Sequence, residues 1–204
     1  MIIKDLHKYI SDVRGAIHVG ANVGEEAPWY DRYGFTKVVW FEPNLDLIPK
    51  LKENISKFPN QTCYPYGIHD SLVEGVLHIS SNDGQSSSIL EFGTHSVDHP
   101  NVTYVKDMEV KFRRLDEMFL QHLDIKEFNF LNIDTQGTEL NVIRSLGELV
   151  SRFKYIYVEV NDAKVYKHCA LVYDIDRYLL PFKFARELTK MTKAHWGDAL
   201  YVKR

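Results

Sequence analysis

With 204 residues, 45% of them hydrophobic, the chain can bury one substantial core and is short for two independent enzymatic domains, so residues 1–204 read as a single domain. The formal net charge of -3 supplies no overall field to draw in nucleic acid or an anionic membrane surface, and neither is expected as a partner.

Ile2, Ile3, Leu6, Ile10 and Val13 follow helical spacing, which predicts a short amphipathic helix over residues 2–13 lying on a sheet edge. Residues 15–20 form a β-prone run, followed by a glycine turn and a helix over 25–33. Pro28 is tolerated there because the first turn of a helix has amides without partners. A second strand over 37–41 leads to a helix over 44–58, with Leu47, Ile48, Leu51 and Ile55 on one face, and then to a third strand over 61–66. Strand, turn and helix repeated in this way build a parallel sheet through right-handed crossovers.

The middle of the chain breaks the pattern. Strands over 75–80 and 108–112 have no helix between them, and the polar stretch 81–107 reads as an irregular loop. It carries Ser86, Ser87, Ser88, His95 and His99, and a loop of that length in a compact domain points to substrate selection. The alternation resumes with a helix over 114–122, a strand over 128–134, a helix over 139–146, a strand over 155–160 and a helix over 172–180. Runs at 183–188 and 199–203 pair as a closing hairpin. Cys63 and Cys169 stand outside any CxxC or metal spacing, the first ten residues lack the apolar core of a signal peptide, and no apolar run would span a bilayer. A cytoplasmic or other reducing location is expected.

Two features carry chemistry. Residues 17–24, Ile-His-Val-Gly-Ala-Asn-Val-Gly, sit between strand and helix, where glycines let the backbone approach a ligand and helix N–H groups face it. About 20 residues later Glu42, before Pro43, ends the second strand, the place where this architecture holds ribose hydroxyls. The competing reading of Glu42 is a solvated acid capping the helix that begins near Asn44. Either NAD or S-adenosylmethionine fits a ribose-binding acid. The missing third glycine of Gly-x-Gly-x-x-Gly favours a ligand without pyrophosphate.

The chain resembles the FkbM-type methyltransferase family in IHVGANVG at 17–24, FEPN at 41–44 and LNIDTQGTEL at 131–140, and further in RLDEM at 114–118, YVEVN at 157–161 and WGDALYV at 196–202. The resemblance implies a Rossmann-like class I α/β fold with a mostly parallel seven-stranded sheet and an antiparallel closing hairpin. It also implies S-adenosylmethionine as cofactor and a hydroxyl of a sugar, glycan or related polyol as acceptor. By resemblance Gly20, Asn22 and Gly24 lie along the methionine part of the cofactor, Glu42 with Pro43 beside it holds the ribose, and the turn Gly67-Ile68-His69-Asp70 flanks the adenine. Two departures stand out. His18 replaces a frequent Asp, as a ring that either bonds near the cofactor or is satisfied in the core; Asn132 and Gln136 stand where Lys and Glu are frequent.

Asp134 ends the strand over 128–134 and should face both cofactor and acceptor beyond the strand ends. Methyl transfer to an alcohol needs the hydroxyl in line behind the methyl and its proton removed by a base or its ionisation by a metal. Asp134 or Glu159 would act as that base, with His95 and His195 further candidates; alternatively Asp134, Glu159 and the Asn161 amide would hold a divalent cation such as Mg²⁺. Glu159 has a structural reading too, paired with a basic neighbour. Ser87, Ser88, Asn161, His195, Trp196 and Asp198 are the expected acceptor contacts, although Trp196 suits a core equally. No Gly-x-Ser-x-Gly elbow surrounds the serines and no HExxH helix the histidines, which sets hydrolase and zinc readings aside. The alternatives carried forward are methylation of a nitrogen or carboxyl group and a cofactor-binding module without turnover.

Overall fold

The computed structural model describes residues 3–204, with side chains from Leu6 onward. A short 3-10 helix (Ile3–Lys8) leads to β1 (Gly15–Val19), α1 (Ala27–Arg32), β2 (Lys37–Phe41), α2 (Ile48–Ile55) and β3 (Gln61–Tyr64). Then come β4 (Gly67–Ile68), β5 (Glu74–Ser80), α3 (His95–Asp98), β6 (Tyr104–Arg113), α4 (Leu115–Gln121) and β7 (Phe128–Ile133). The chain closes with α5 (Glu139–Arg144), β8 (Tyr155–Asn161), α6 (Val172–Leu179), β9 (Phe184–Met191) and β10 (Trp196–Lys203).

Seven strands form one sheet in the order β3-β2-β1-β7-β8-β10-β9. The first five run parallel, and β10 is antiparallel to both of its neighbours, as expected of a mostly parallel sheet with a closing hairpin. Strand side chains alternate between faces, and the central strands are apolar on both. Ile17, Val19, Val39 and Phe41 pack with α4, α5 and α6 on one side. Ala16, Val38 and Trp40 pack with α1 and α2 on the other. The chain order reverses between β1 and β7, and the crevice beyond the strand ends at such a switch point is where this architecture binds ligands.

Four expectations change. The helix expected over 2–13 is only the 3-10 turn, because Asp12 takes a left-handed backbone (φ 53) and the Ser11 amide turns to the Tyr155 hydroxyl. Leu6 packs over the middle of the sheet against Ala16, Phe130 and Tyr155 rather than along an edge, and Ile2 lies outside the described residues. The helix expected from 44 begins at Ile48, where Pro49 suits a first turn. The strand expected over 61–66 splits: β3 joins the main sheet, whereas β4 pairs with β6 in a separate three-stranded sheet, β4-β6-β5. Lastly, the segment 81–107 is built rather than irregular, since it contains α3 and the start of β6 and is fastened at several points described below.

Candidate active site

A cavity of about 510 Å³ opens at the C-terminal ends of β1, β2, β7 and β8. Its floor is the glycine turn. Gly20 has φ +84, and a Cβ there would lie 1.7 Å from the Asp134 carbonyl oxygen, so only glycine lets β1 and β7 run this close. Asn22 follows with φ 45. Gly24 faces elsewhere: a Cβ on it would press on Leu51 and Ile55 of α2, so its part is helix packing and not, as expected, a wall of the cavity.

Glu42 is buried at the end of β2 and lines the cavity beside Pro43. One carboxylate oxygen accepts the Asn22 amide at 2.7 Å and the other the Asn44 amide at 2.8 Å. The solvated cap is thereby replaced by a buried clamp joining two turns. Each oxygen keeps a second lone pair for a hydroxyl. Burial pushes the Glu42 carboxyl up to about 7 against the pull of those two amides.

His18 settles in the second of its two readings while still bordering the cavity. Its ring stacks on Trp40 at 4.8 Å, Nδ1 accepts the Tyr30 hydroxyl at 3.1 Å, and the ring interacts with the Gly20 backbone. Asn132 donates its amide to the same Tyr30 oxygen at 2.7 Å. Burial lowers His18 to about 3, so the imidazole is neutral and serves to fix the glycine turn.

Asp134 and Glu159 meet through a residue that carried no role in the sequence reading. Gln136, with a left-handed backbone (φ 56), sends its amide nitrogen to Asp134 Oδ1 at 2.5 Å and to Glu159 Oε2 at 3.2 Å. Its Oε1 accepts the Tyr166 hydroxyl at 2.5 Å. Burial, with Glu139 and Asp198 adding to it, raises Asp134 to about 7. Burial and then Asp134 push Glu159 further above the carboxylate range. Glu159 is therefore paired with a neutral amide, not with the basic neighbour of its structural reading. Glu139 accepts the Thr135 and Gly137 amides and holds the turn in shape from outside the cavity.

The opposite wall comes from the segment 81–104 and the loop after β8. A β-bridge joins Phe92 to Tyr166, and the amides of Lys167, Gly93, Thr94 and His95 bond Glu91, Val165, Lys164 and Val165. Ser86, Ser87, His95 and Tyr166 line the cavity from this side, and Trp196 and Asp198 from β10. His95 stacks on Phe92 at 4.2 Å, and its Nε2 lies 3.1 Å from the Ser86 hydroxyl. Ser88 instead donates to the Gln136 carbonyl at 2.6 Å and lies behind the wall.

Several expected contacts are placed elsewhere. Of the turn expected at the adenine, Gly67 and Ile68 border the cavity, whereas His69 Nδ1 accepts the Ser71 and Leu72 amides and Asp70 accepts the Asn141 side-chain amide outside it. His195 pairs with Asp162 at 2.8 Å on the surface. Asn161 is buried with both amide atoms unpartnered and is not part of the lining. Of the oxygen set Asp134, Glu159 and Asn161, the first two meet at the Gln136 amide nitrogen and Asn161 stands outside the lining. No group of three or more His, Cys, Asp or Glu among the described residues is arranged to hold a metal ion. Glu25, Glu26 and Tyr166 were missed and Gln136 was noted only as a departure from the family pattern; Glu25 and Glu26, directly after the last glycine of the turn, had a positional signal.

In all, six carboxylates line the cavity: Glu25, Glu26, Glu42, Asp134, Glu159 and Asp198. No lysine or arginine does so among the described residues. Burial raises Glu26 to about 7, with Asp134 and Glu25 contributing. Three of the six, Glu26, Glu42 and Glu159, are buried, and neighbouring acids that raise one another suit a cation.

Among proteins of known role, the 2-O-methyltransferase NoeI of Sinorhizobium fredii is 23% identical over 158 residues, covering 74% of this chain and 65% of its own. The hexuronic acid methyltransferase AglP of Haloferax volcanii is 26% identical over 177 residues, covering 86% and 65%. The chain thus spans slightly less than two thirds of the length of each. Solved structures share the fold at low identity. TrmK of M. capricolum, in complex with S-adenosyl-homocysteine, superposes with a TM-score of 0.57 over 98% of this chain and 66% of its own, at 8% identity. A ribosomal protein L11 methylase of Lactobacillus delbrueckii gives 0.54 over 99% and 76%, at 9% identity. These neighbours have the class I methyltransferase fold. The profile of the family described as the Methyltransferase FkbM domain matches residues 18–190, from the stacked histidine of β1 to the outer strand of the hairpin, and the chain belongs to that family.

Proposed function

We propose that the protein transfers a methyl group from S-adenosylmethionine to a hydroxyl oxygen of a sugar or related polyol. The observation that carries this reading is the Asp134–Gln136–Glu159 arrangement, set in the same cavity as the Glu42 clamp and the glycine turn. The two relatives act, by their names, on a 2-O position and on a hexuronic acid, which agrees with an oxygen acceptor.

The cavity suits the cofactor: Glu42 has lone pairs to spare for ribose hydroxyls, the turn at Gly20 brings backbone to the ligand, and the acidic lining complements a sulfonium and an ammonium group. When bound, the cofactor supplies an electrophilic methyl on a positively charged sulfur. Asp134 accepts the acceptor's proton as the new C–O bond forms. Its pKa near 7 matches a general base that works at neutral pH. Glu159, held higher, keeps its proton and leaves Asp134 as the charged member of the pair. Gln136 points both carboxyls inward, and Tyr166 fixes the Gln136 amide so that its nitrogen, not its oxygen, faces them.

The test is calorimetry with S-adenosylmethionine, followed by measurement of S-adenosylhomocysteine release with a panel of glycosides. Binding with acceptor-dependent release is expected. Binding without release on any hydroxyl acceptor would favour a module without turnover, and release only with amine or carboxylate acceptors would replace oxygen as the target.

A further inference from the structure

We infer that Ser86 is a specificity-determining contact for the acceptor: its hydroxyl proton is kept free for a second hydroxyl oxygen of the sugar, and Asn82 and His95 are the positioning residues that keep it so. This rests on the sugar O-methylation reading above. Ser86 is buried in the wall of the cavity. Its carbonyl oxygen lies 3.5 Å from the same Tyr166 hydroxyl that fixes Gln136, which sets it close to the carboxyl pair. A serine hydroxyl has one proton and two lone pairs, so what it offers a ligand depends on which of these the protein already uses.

Asn82 fills the first lone pair, its amide nitrogen donating to Ser86 Oγ at 3.0 Å. The amide is held that way round because its oxygen accepts the Ser80 hydroxyl at 2.6 Å and the Ser86 backbone N–H at 3.3 Å. His95 Nε2 stands 3.1 Å from the same Ser86 oxygen, and the far side of the ring decides which of the two carries the proton. Nδ1 is buried without a partner. A lone pair left unmet there costs less than an N–H left unmet, so the ring's proton belongs on Nε2. Burial, with His99 adding to it, lowers His95, and the neutral ring has only that one proton to give. Nε2–H therefore donates to Ser86 and fills its second lone pair. The hydroxyl can then donate but not accept. It suits an oxygen lone pair of the sugar, and neither a C–H nor an ammonium group replaces that oxygen. His95 in turn cannot serve as the base, since Nε2 is protonated and Nδ1 is sealed from the cavity.

Two measurements decide the matter. Imidazole nitrogen NMR on protein with labelled histidines reads the ring of His95 with no acceptor present, its signals identified by their loss in His95→Gln. A neutral ring protonated on Nε2 is expected near pH 7; a proton on Nδ1 or a charged ring overturns the inference. The second measurement follows S-adenosylhomocysteine release with whichever of the p-nitrophenyl glucoside, galactoside and mannoside is turned over best, beside calorimetric titration of the cofactor. Ser86→Ala should raise the KM of that glycoside by about three- to tenfold, the worth of one hydrogen bond, with kcat and cofactor affinity nearly unchanged. Among its monodeoxy forms that keep the methylated hydroxyl, one should show the same loss with the wild-type protein and no further loss with Ser86→Ala. His95→Leu should raise KM in the same way, add little to Ser86→Ala, and be rescued in part by His95→Gln, whose amide can donate to the Ser86 oxygen. An unmoved KM, a loss of cofactor affinity in its place, or a full set of deoxy sugars whose deficits persist in Ser86→Ala overturns the inference. If His95→Leu does not fold, the ring signals and Ser86→Ala still decide it. Cofactor binding without transfer to any of the three glycosides overturns the sugar acceptor reading itself, whereas the position of the His95 proton is read without an acceptor.

Discussion

The two walls of the cavity are built in different ways. The wall proposed to hold the cofactor is made of strand ends: the turn after β1, Glu42 after β2 and Asp134 after β7 each occupy the position where a parallel strand delivers its last residue. The opposite wall, proposed to hold the acceptor, has no such logic. Ser86, His95 and Tyr166 come together because a β-bridge and four backbone hydrogen bonds lash the segment 81–104 to the loop after β8, about 70 residues further along the chain. The first wall is a property of the fold class; the second is a property of this chain. Gln136 is the joint, touching Asp134 on one side and Tyr166 on the other.

If the walls are functionally separate, substitutions should divide cleanly between binding and turnover. The largest effect is expected from Asp134→Asn, which removes the base: kcat should fall by about 10²–10⁴-fold with cofactor affinity kept within a few-fold. Near-normal turnover in that variant would remove Asp134 from the chemistry. Glu42→Ala comes next, losing charge-assisted hydrogen bonds worth roughly 1.5–3 kcal/mol, and calorimetry should record weaker cofactor binding in a protein that still folds. Unchanged affinity would break the assignment of this wall to the cofactor.

Tyr166→Phe tests the joint. It deletes the hydroxyl that fixes Gln136, and one hydrogen bond of about 0.5–1.5 kcal/mol should appear as a several-fold loss in kcat with no change in cofactor binding. The pH optimum should shift as well, because Gln136 no longer holds the two carboxyls in one orientation. A fall in cofactor affinity instead would show the walls are not independent.

How legible each wall is from sequence follows from the same contrast. Glycine turns and strand-end acids recur at fixed intervals in a βαβ unit, so Gly20, Glu42 and Asp134 can be found by counting from hydrophobic runs. His69 and Asp70 could not be placed, because the chain leaves the main sheet after Tyr64 and β4 pairs with β6, turning both side chains toward Ser71, Leu72 and Asn141. The segment 81–107 looked structureless since its order comes from partners distant in the chain. Tyr166 gave no signal at all: its hydroxyl matters only because Gln136 sits opposite. The parallel strands over 15–20, 37–41, 128–134 and 155–160 and the closing hairpin, by contrast, follow from apolar runs that need no distant partner to be recognised, while the seven-stranded count is what the family resemblance implies.

The smallest expected effect concerns stability of the cofactor-free protein. Glu26, Glu42 and Asp134 titrate near 4–4.5 when unfolded and near 7 when folded. The folded state therefore holds more protons between those values, and the stability these groups contribute is present below about pH 4.5 and lost as pH rises through 7. His18 acts oppositely: with its folded pKa near 3, its contribution is present above about 6.5 and is lost as the solution is acidified. Between pH 6.5 and 8 only the last half-protonation of the unfolded histidine remains, a smaller effect of opposite sign, so the carboxyls should still lower Tm by a few degrees. S-adenosylmethionine should reduce that drop, and Asp134→Asn should raise Tm at pH 8 while abolishing turnover. A Tm that climbs over this interval would contradict the buried state of the cluster.

The raised affinity of the Asp134 carboxyl for its proton has a further consequence for the energetics of the reaction. Before transfer in the proposed mechanism, a cationic sulfur faces an anionic Asp134; afterwards the sulfur is neutral and Asp134 carries the hydroxyl's proton. A pair of opposite charges has been consumed and none created. Bulk water would resist that step, because it solvates ions better than it solvates their neutral products. A buried carboxyl whose charge is already costly gains from losing it, so the burial that weakens the resting protein pulls the reaction forward.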